Sequence, residues 1–328
     1  MESLVSVLLP VKNAEPYLLD CLDSLLAQSY PHWELLAVND HSSDNSPALL
    51  KKYSQQDTRI QYFENEGNGI IHALRLAYRS SKGTFITRMD ADDKMATNKL
   101  EILLQNWQQA GQGSVAIGQV KYFSATTLGN GYQQYEQWLN QHTLHGTNYR
   151  DIYKECVIPS PCWLVHRADL DRCGAFDFDR YPEDYDLCFR FYQQGLTVVP
   201  CDQVLHYWRD YPTRTSRTDA HYADNRFLEI KLDYFLQLEY QSHHPLVLWG
   251  AGKKGKWIAQ QLAGRSIPFR WICNNSKKLG KEIYGCILES TVIIEDLERP
   301  KYIIAVANKE EQESIKRQLK GQEYYFFC

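Results

Sequence analysis

The chain has 328 residues, enough for one large domain or two ordinary ones. Hydrophobic residues make up 44% and the formal net charge is −4 at pH 7, so a core can be buried but no basic field exists to attract nucleic acid. No apolar run reaches the length of a membrane span. The nine cysteines are odd in number and form no CxxC pair, which suits buried thiols in a reducing compartment better than a disulfide framework. The start, MESLVSVLLPVKN, lacks a basic n-region and a small-residue cleavage site and reads as a first strand, so a bacterial-type cytoplasm is the expected location.

LVSVLLPV (4–11) is a continuous apolar run, as in a strand buried on both faces. Over 16–28, Leu18, Leu22, Leu25 and Leu26 recur at helical spacing. WELLAVND (33–40) is a second buried strand, and the polar turn HSSDNS opens a helix running to about Tyr53. IQYFEN (60–65) is a third strand. The loop EGNG then opens a helix carrying Ile70, Leu74, Ala77 and Tyr78, and TFITRMD (84–90) is a fourth strand. This alternation predicts an α/β domain with a largely parallel sheet. Ligands of such sheets bind beyond the carboxyl ends of the strands. There the sequence sets PVKN, NDHSSD and DADD.

Asp90, Asp92 and Asp93 crowd three carboxylates into four residues after the fourth strand. Like charges this close repel unless a cation sits among them. Oxygen-only ligands suit Mg²⁺ or Mn²⁺, and no Cys/His cluster suggests zinc. The competing reading is that the acids merely favour the N-terminus of a helix starting near Thr97.

Six segments together carry a resemblance: PVKN (10–13), VNDHSSD (38–44), NEGNGIIHALRLA (65–77), RMDADD (88–93), IPSPCWLVHRADLDRCGAFD (158–177) and PEDYDLCFRFYQQG (182–195). In order and spacing, over about 215 residues, they resemble the family 2 inverting glycosyltransferases. The resemblance implies a GT-A fold, a nucleotide-diphospho-sugar transferase domain with a DxD-type metal turn. It implies that Pro10, Val11 and Asn13 line the nucleotide base and that Asp40 accepts the N3–H of uracil or thymine. Asp90 would lie near ribose and pyrophosphate. Asp92 would ligate the metal with Asp90 beside it, and Asp93 would support the turn. Arg75 and Arg88 would approach the diphosphate or the sugar, or else pair within the aspartate cluster. Trp163 and Cys162, in PSPCW, would shape the acceptor side.

Inverting transfer needs a base that takes the acceptor hydroxyl's proton as that oxygen attacks the anomeric carbon. Within the resemblance Asp184 is that base, and Glu183 beside it would bind the acceptor. Taken alone, the two acids read better as N-terminal helix residues. Two departures stand out. Asn39 occupies a position where the family usually has a second acid, and Tyr211 one where a histidine often ligates metal or phosphate. Arg209, Arg214 and Arg217 could close over a diphosphate or form a solvated loop. Tyr135 and Trp138 could stack on sugar, although such helical spacing more often marks core.

A helix over about 223–240, with Phe227, Ile230, Tyr234 and Leu238 on one stripe, is predicted to link two domains and to end at QSHHP (241–245). The expected organisation is a transferase domain over 1–220, a linking helix over 221–242 and a small Rossmann-like domain over 243–328. In the last, Gly250, Gly252 and Gly255 fit G-x-G-x-x-G between strand and helix and could hold an anion with Lys253. Asn274 and Asn275 stand where a dinucleotide site would place a ribose-binding acid, so NAD is not expected. The reading is single-sugar transfer from a UDP- or dTDP-sugar to a glycan or lipid-linked saccharide of the bacterial cell envelope, with Mg²⁺ or Mn²⁺ as cofactor. Membrane contact would be peripheral, through a lipid-linked acceptor at the inner face. The alternatives are a non-catalytic nucleotide-sugar-binding or scaffold protein, which should lack Asp184, and a nucleotidyltransferase, which should carry a glycine-rich basic loop after its first strand.

Overall fold

The structure, a computed structural model, describes residues 3–125, 128–214 and 227–328. The chain divides into two compact units, residues 1–150 with 157–214 and residues 151–156 with 215–328.

The first unit begins with β1 (Val5–Val11), α1 (Glu15–Leu26), β2 (Trp33–Asn39), α2 (Ser46–Gln56), β3 (Ile60–Glu64), α3 (Ile70–Ser80) and β4 (Phe85–Arg88). β3, β2, β1 and β4 lie side by side and parallel, as the sequence predicts. Every residue of β2 is buried, which is why it reads as an unbroken apolar run rather than an alternating one. α1 carries a proline in its first turn, where the missing N–H costs nothing, and buries Leu18, Cys21, Leu22 and Leu25. β4 ends two residues before the predicted limit, because the chain turns there: the Asp93 amide donates to the Asp90 carbonyl at 3.2 Å.

The chain continues through β5 (Lys94–Met95), α4 (Lys99–Ala110), β6 (Ser114–Ile117), β7 (Gln119–Ser124), α5 (Asn130–His145), β8 (Trp163–His166), α6 (Arg167–Arg172), α7 (Glu183–Gln193), β9 (Thr197–Val199) and β10 (Val204–Asp210). β8 joins the first sheet antiparallel to β4, and β6 and β9 extend it to the order β3-β2-β1-β4-β8-β6-β9. β10 lies between β5 and β7 in a separate three-stranded sheet. β2, β1 and β4 are neighbours, so the segments after them (Asp40, Asn13 and the 90–93 turn) leave the same edge of the sheet.

The second unit holds α8 (Phe227–Leu238), β11 (Leu246–Trp249), α9 (Lys253–Gly264), β12 (Arg270–Ile272), β13 (Glu282–Ile283), β14 (Cys286–Glu289), β15 (Lys301–Ile304), α10 (Lys309–Gln318) and β16 (Glu323–Phe326). Its sheet has the order β13-β14-β12-β11-β15-β16 and is parallel except for β13. The beginning of the helix predicted over 223–240 lies outside the described residues. The described part buries Leu228, Ile230, Lys231, Leu232, Tyr234 and Phe235, a wider face than the predicted stripe. Residues 151–156 belong to this unit. Tyr153 stacks on Phe327 (5.6 Å, 6°), meets Phe235 and Tyr325 edge-on, and donates its hydroxyl to Glu239 Oε1 at 3.1 Å. The buried Lys231 amine donates to the Lys154 carbonyl at 2.6 Å.

Candidate active site

β1 and β2 end together, with the Asp40 amide donating to the Val11 carbonyl at 2.7 Å. Asp40 Oδ1 accepts from Asn65 Nδ2 (2.7 Å) and the Gly69 amide (3.0 Å), and Oδ2 accepts from Lys12 (3.2 Å). Burial pushes this carboxyl up, but those donors outweigh it and hold it below the usual range. Asn39 donates to Glu64 at 2.7 Å, so a carboxylate does stand near its position, supplied by the end of β3. Asn13 takes a positive φ of 50°, a conformation asparagine tolerates, and its Oδ1 accepts from the Ser43 amide at 2.8 Å. Pro10 is half-buried, whereas the Val11 side chain lies in the core.

After β4, Arg88 reaches in two directions. Its Nε and Nη2 donate to Asp90 Oδ1 at 3.2 and 3.0 Å, and its Nη1 donates to Glu183 Oε1 at 2.8 Å. One buried guanidinium therefore ties the aspartate turn to the first residue of α7, 95 residues later. Arg75 is placed differently: its hydrogen bonds go to the carbonyls of Phe176 and Asp177 and to the Asp179 carboxylate. It pins the loop before α7 and joins no aspartate of the 90–93 turn.

Asp184 follows Glu183 and is partly buried. Its Oδ1 accepts from the Tyr185 amide at 2.7 Å, and its Oδ2 accepts from no described residue. Burial, then the neighbouring Glu183 charge, pushes its carboxyl up to about 7. Glu183 accepts a hydrogen bond from Arg88 and Asp184 does not, so the two adjacent acids occupy different environments.

In the turn itself, Asp92 Oδ2 accepts from the Tyr211 hydroxyl at 2.9 Å, and its Oδ1 accepts from no described residue. Burial and then the adjacent Asp93 push Asp92 up to about 7. Asp93 is fully buried and saturated: Oδ2 faces His206 Nε2 at 3.0 Å and Oδ1 accepts the Arg209 amide at 2.7 Å. Arg209 donates to the Asp92 carbonyl and to Asp20. Arg214 lies over the Tyr122 ring; burial pulls its pKa down, but the charges of Asp93 and Asp92 help to outweigh that and raise it. Arg217 lies outside the described residues.

Among the described residues no cluster of three or more His, Cys, Asp or Glu side chains forms a metal cage. The turn still fits Mg²⁺ or Mn²⁺, which commonly take one or two protein carboxylates and complete their shell with water and phosphate oxygens. Asp92 offers an uncommitted oxygen and an ionisation made costly by burial and like charge, which a cation would relieve.

Cys162 and Trp163 have buried side chains. Cys162 sits in the core, and Trp163 meets Phe191 edge-on at 6.0 Å. Tyr135 and Trp138 pack on one another, and Tyr135 also stacks on Trp208. Sequence reasoning missed Lys99 and the part played by His206. Lys99 donates to the Pro161 carbonyl and lies 3.2 Å from His206 Nδ1, a link spanning 107 residues that no local pattern announces.

In the second unit, Gly250 has a φ of 120°, and a Cβ on Gly255 would stand 2.0 Å from the Gly250 carbonyl oxygen. Both glycines are thus required by the turn itself. Gly252 caps α9, and a Cβ there would meet open space. Asn274 donates to Glu311 at 3.0 Å.

The architecture is that of a GT-A transferase domain followed by a further α/β unit. Residues 6–174 match the model of glycosyl transferase family 2, and the chain belongs to that family. It is 39% identical over 271 residues to the putative teichuronic acid biosynthesis glycosyltransferase TuaG of Bacillus subtilis, covering 81% of this chain and 97% of TuaG. It is 28% identical to glycosyltransferase GlyA of Streptococcus pneumoniae over 62% of this chain, a match that spans only 30% of GlyA. Among solved structures, residues 1–349 of TarS from S. aureus in complex with UDP-GlcNAc align with a TM-score of 0.55 at 18% identity, over 80% of this chain and 72% of that one. A mannosyltransferase from Pyrobaculum calidifontis in complex with GDP-Man and Mn²⁺ aligns with a TM-score of 0.52 at 18% identity, over 72% of this chain and 64% of that one. At such identities these structural likenesses speak to the fold. No helix among the described residues is long and apolar enough to cross a membrane.

Proposed function

We propose that this glycosyltransferase moves one sugar, with inversion, from a UDP- or dTDP-sugar to a hydroxyl of a glycan or lipid-linked saccharide in bacterial cell-envelope synthesis. The observation that carries the proposal is the double grip of Arg88, which unites the aspartate turn and the start of α7 in one site. Asp184 is the base. Its Oδ2 receives the acceptor proton, and a carboxyl near 7 is a stronger base than an ordinary aspartate while still ionised in part at neutral pH. Arg88 occupies Glu183 with a hydrogen bond, so proton transfer falls to Asp184 while Glu183 positions the acceptor. Asp40 reads the nucleotide base, with Pro10, Val11 and Asn13 forming the strand-end loop beneath it. Asp92, with Asp90, holds Mg²⁺ or Mn²⁺, and that ion, when bound, neutralises charge on the departing diphosphate. Arg75 contributes by fixing the 176–179 loop rather than by touching donor.

The mannosyltransferase complex with Mn²⁺ and the TarS complex with UDP-GlcNAc support a metal and a nucleotide-sugar donor. The name of TuaG supports an envelope polysaccharide. A lipid-linked acceptor would bring the enzyme to the inner face of the membrane. The domain limits proposed are a transferase domain ending near 214–220, with the Rossmann-like unit as a separate module whose glycine turn could take an anion.

The test is release of nucleoside diphosphate from a panel of UDP-, dTDP- and GDP-sugars. Asp184→Asn should abolish turnover while leaving donor affinity within about twofold, because the base acts in the transition state. Unchanged turnover in that variant would remove Asp184 from the role.

A further inference from the structure

Lys99 opens α4 with its side chain fully buried. Both placements oppose a cation, since solvation is lost and the first turn of a helix carries partial positive charge. Among the described residues no carboxylate hydrogen-bonds to it. Its amine instead donates to the Pro161 carbonyl and stands 3.2 Å from His206 Nδ1. Burial accordingly holds its pKa below the usual lysine range.

As an ammonium Lys99 only donates, and Nε2 faces a carboxyl oxygen, so the arrangement that satisfies both contacts has Nδ1 accepting and the imidazole proton on Nε2. Nε2 faces Asp93 Oδ2 at 3.0 Å. Burial, and then the Lys99 charge, keeps the ring neutral. Asp93 has its other oxygen on the Arg209 amide, and its own amide closes the turn onto Asp90. The chain of donors therefore runs from Lys99 through His206 to the aspartate turn. In the other direction the same amine grips the loop that leads into β8 at Trp163.

We propose that Lys99 is a positioning residue that locks the aspartate turn and the 159–163 loop to one another, setting the His206 tautomer on one side and holding the Pro161 carbonyl on the other. It rests on the reading of the turn as donor side and of the loop as acceptor side. A lysine that only filled space would be replaceable by methionine at little cost to either segment.

Nitrogen-15 histidine spectra of the full chain test the lock, with His206→Gln identifying the His206 signals among the ten histidines. The expected result at neutral pH is a neutral ring protonated at Nε2 with an accepting Nδ1. A ring protonated at Nδ1, or an imidazolium, overturns the proposal without need of any Lys99 variant. Hydrogen exchange then separates the two arms. Lys99→Met should speed exchange in peptides covering both 90–95 and 157–163, whereas His206→Leu should speed it only in 90–95. Exchange unchanged by Lys99→Met would also overturn the lock. Calorimetry with UDP and Mn²⁺ reports on function. Lys99→Met and His206→Leu should weaken binding about tenfold, the scale of one hydrogen bond to a charged group, and His206→Gln, which keeps a donor and an acceptor, should restore it. Failure of wild type to bind UDP with Mn²⁺, alongside the expected tautomer and exchange pattern, would support the lock and sink the donor-side reading.

Discussion

Replacing Arg88 with methionine removes three hydrogen bonds and a buried positive charge while keeping most of the side-chain volume. The Glu183 side chain is only 9% exposed, so it would be left as an unpaired buried carboxylate. Breaking a buried pair in this way costs about 3–5 kcal/mol. The Asp90 carboxylate is 23% exposed, so its share is closer to that of a screened pair, up to about 1 kcal/mol. Urea unfolding followed by tryptophan fluorescence should therefore show about 3–5 kcal/mol lost in the first unit with the m-value unchanged. The matching fall in melting temperature is roughly 6–20 °C for a unit of this size. Adding Glu183→Gln to Arg88→Met removes the stranded charge and should recover more than half of the loss. A cost below about 1 kcal/mol, typical of an exposed pair, would refute the reasoning, as would a double variant no more stable than the single one.

Three further outcomes can be checked directly. The base acts ionised and its carboxyl lies near 7, so kcat/KM should fall about tenfold per pH unit below that point and level off above it; a flat profile across it would contradict Asp184 as the base. Tyr153→Ala should destabilise the second unit by about 3–5 kcal/mol in denaturant titration, since it empties an aromatic box and removes one of the hydroxyls that donate to Glu239. NAD at millimolar concentration should give no saturable signal in calorimetry, because Asn274 and Asn275 stand after β12 where a ribose-binding acid is expected, and the carboxylate beside them, Glu311 of α10, is engaged by Asn274; a micromolar dissociation constant would overturn that view.

The parallel half of the transferase sheet was legible because β1 and β2 are mainly apolar runs, and β1, β2 and β4 each lead into a polar cluster, a local pattern. The antiparallel insertion of β8 and β6, and the separate sheet around β10, were not, because their pairings span long separations and their strands are short. The site divides in the same way. The acids of the turn could be picked from adjacent letters, whereas those of α7 stood out only through the family resemblance. That Arg88 joins them, that Arg75 turns instead to the 176–179 loop, and that a buried lysine and histidine underlie Asp93 are facts of tertiary placement. Cys162 and Trp163, expected on the acceptor side from their neighbourhood, have side chains facing the core, so in the proposed site it is the backbone of that loop that would meet an acceptor. The β13–β14 pair escaped notice because each strand is too short to show a period.

The most direct measurement is the thermal stability of wild type and of Asp92→Ala with UDP, dTDP, GDP and CDP, each with and without Mn²⁺. A ligand bound only by the folded state, present at about a hundred times its dissociation constant, stabilises by about 2.7 kcal/mol, a clear rise in melting temperature. The account expects a rise with UDP or dTDP that needs Mn²⁺ and disappears in Asp92→Ala. No rise with any diphosphate, or a Mn²⁺-dependent rise that survives in Asp92→Ala, would contradict it.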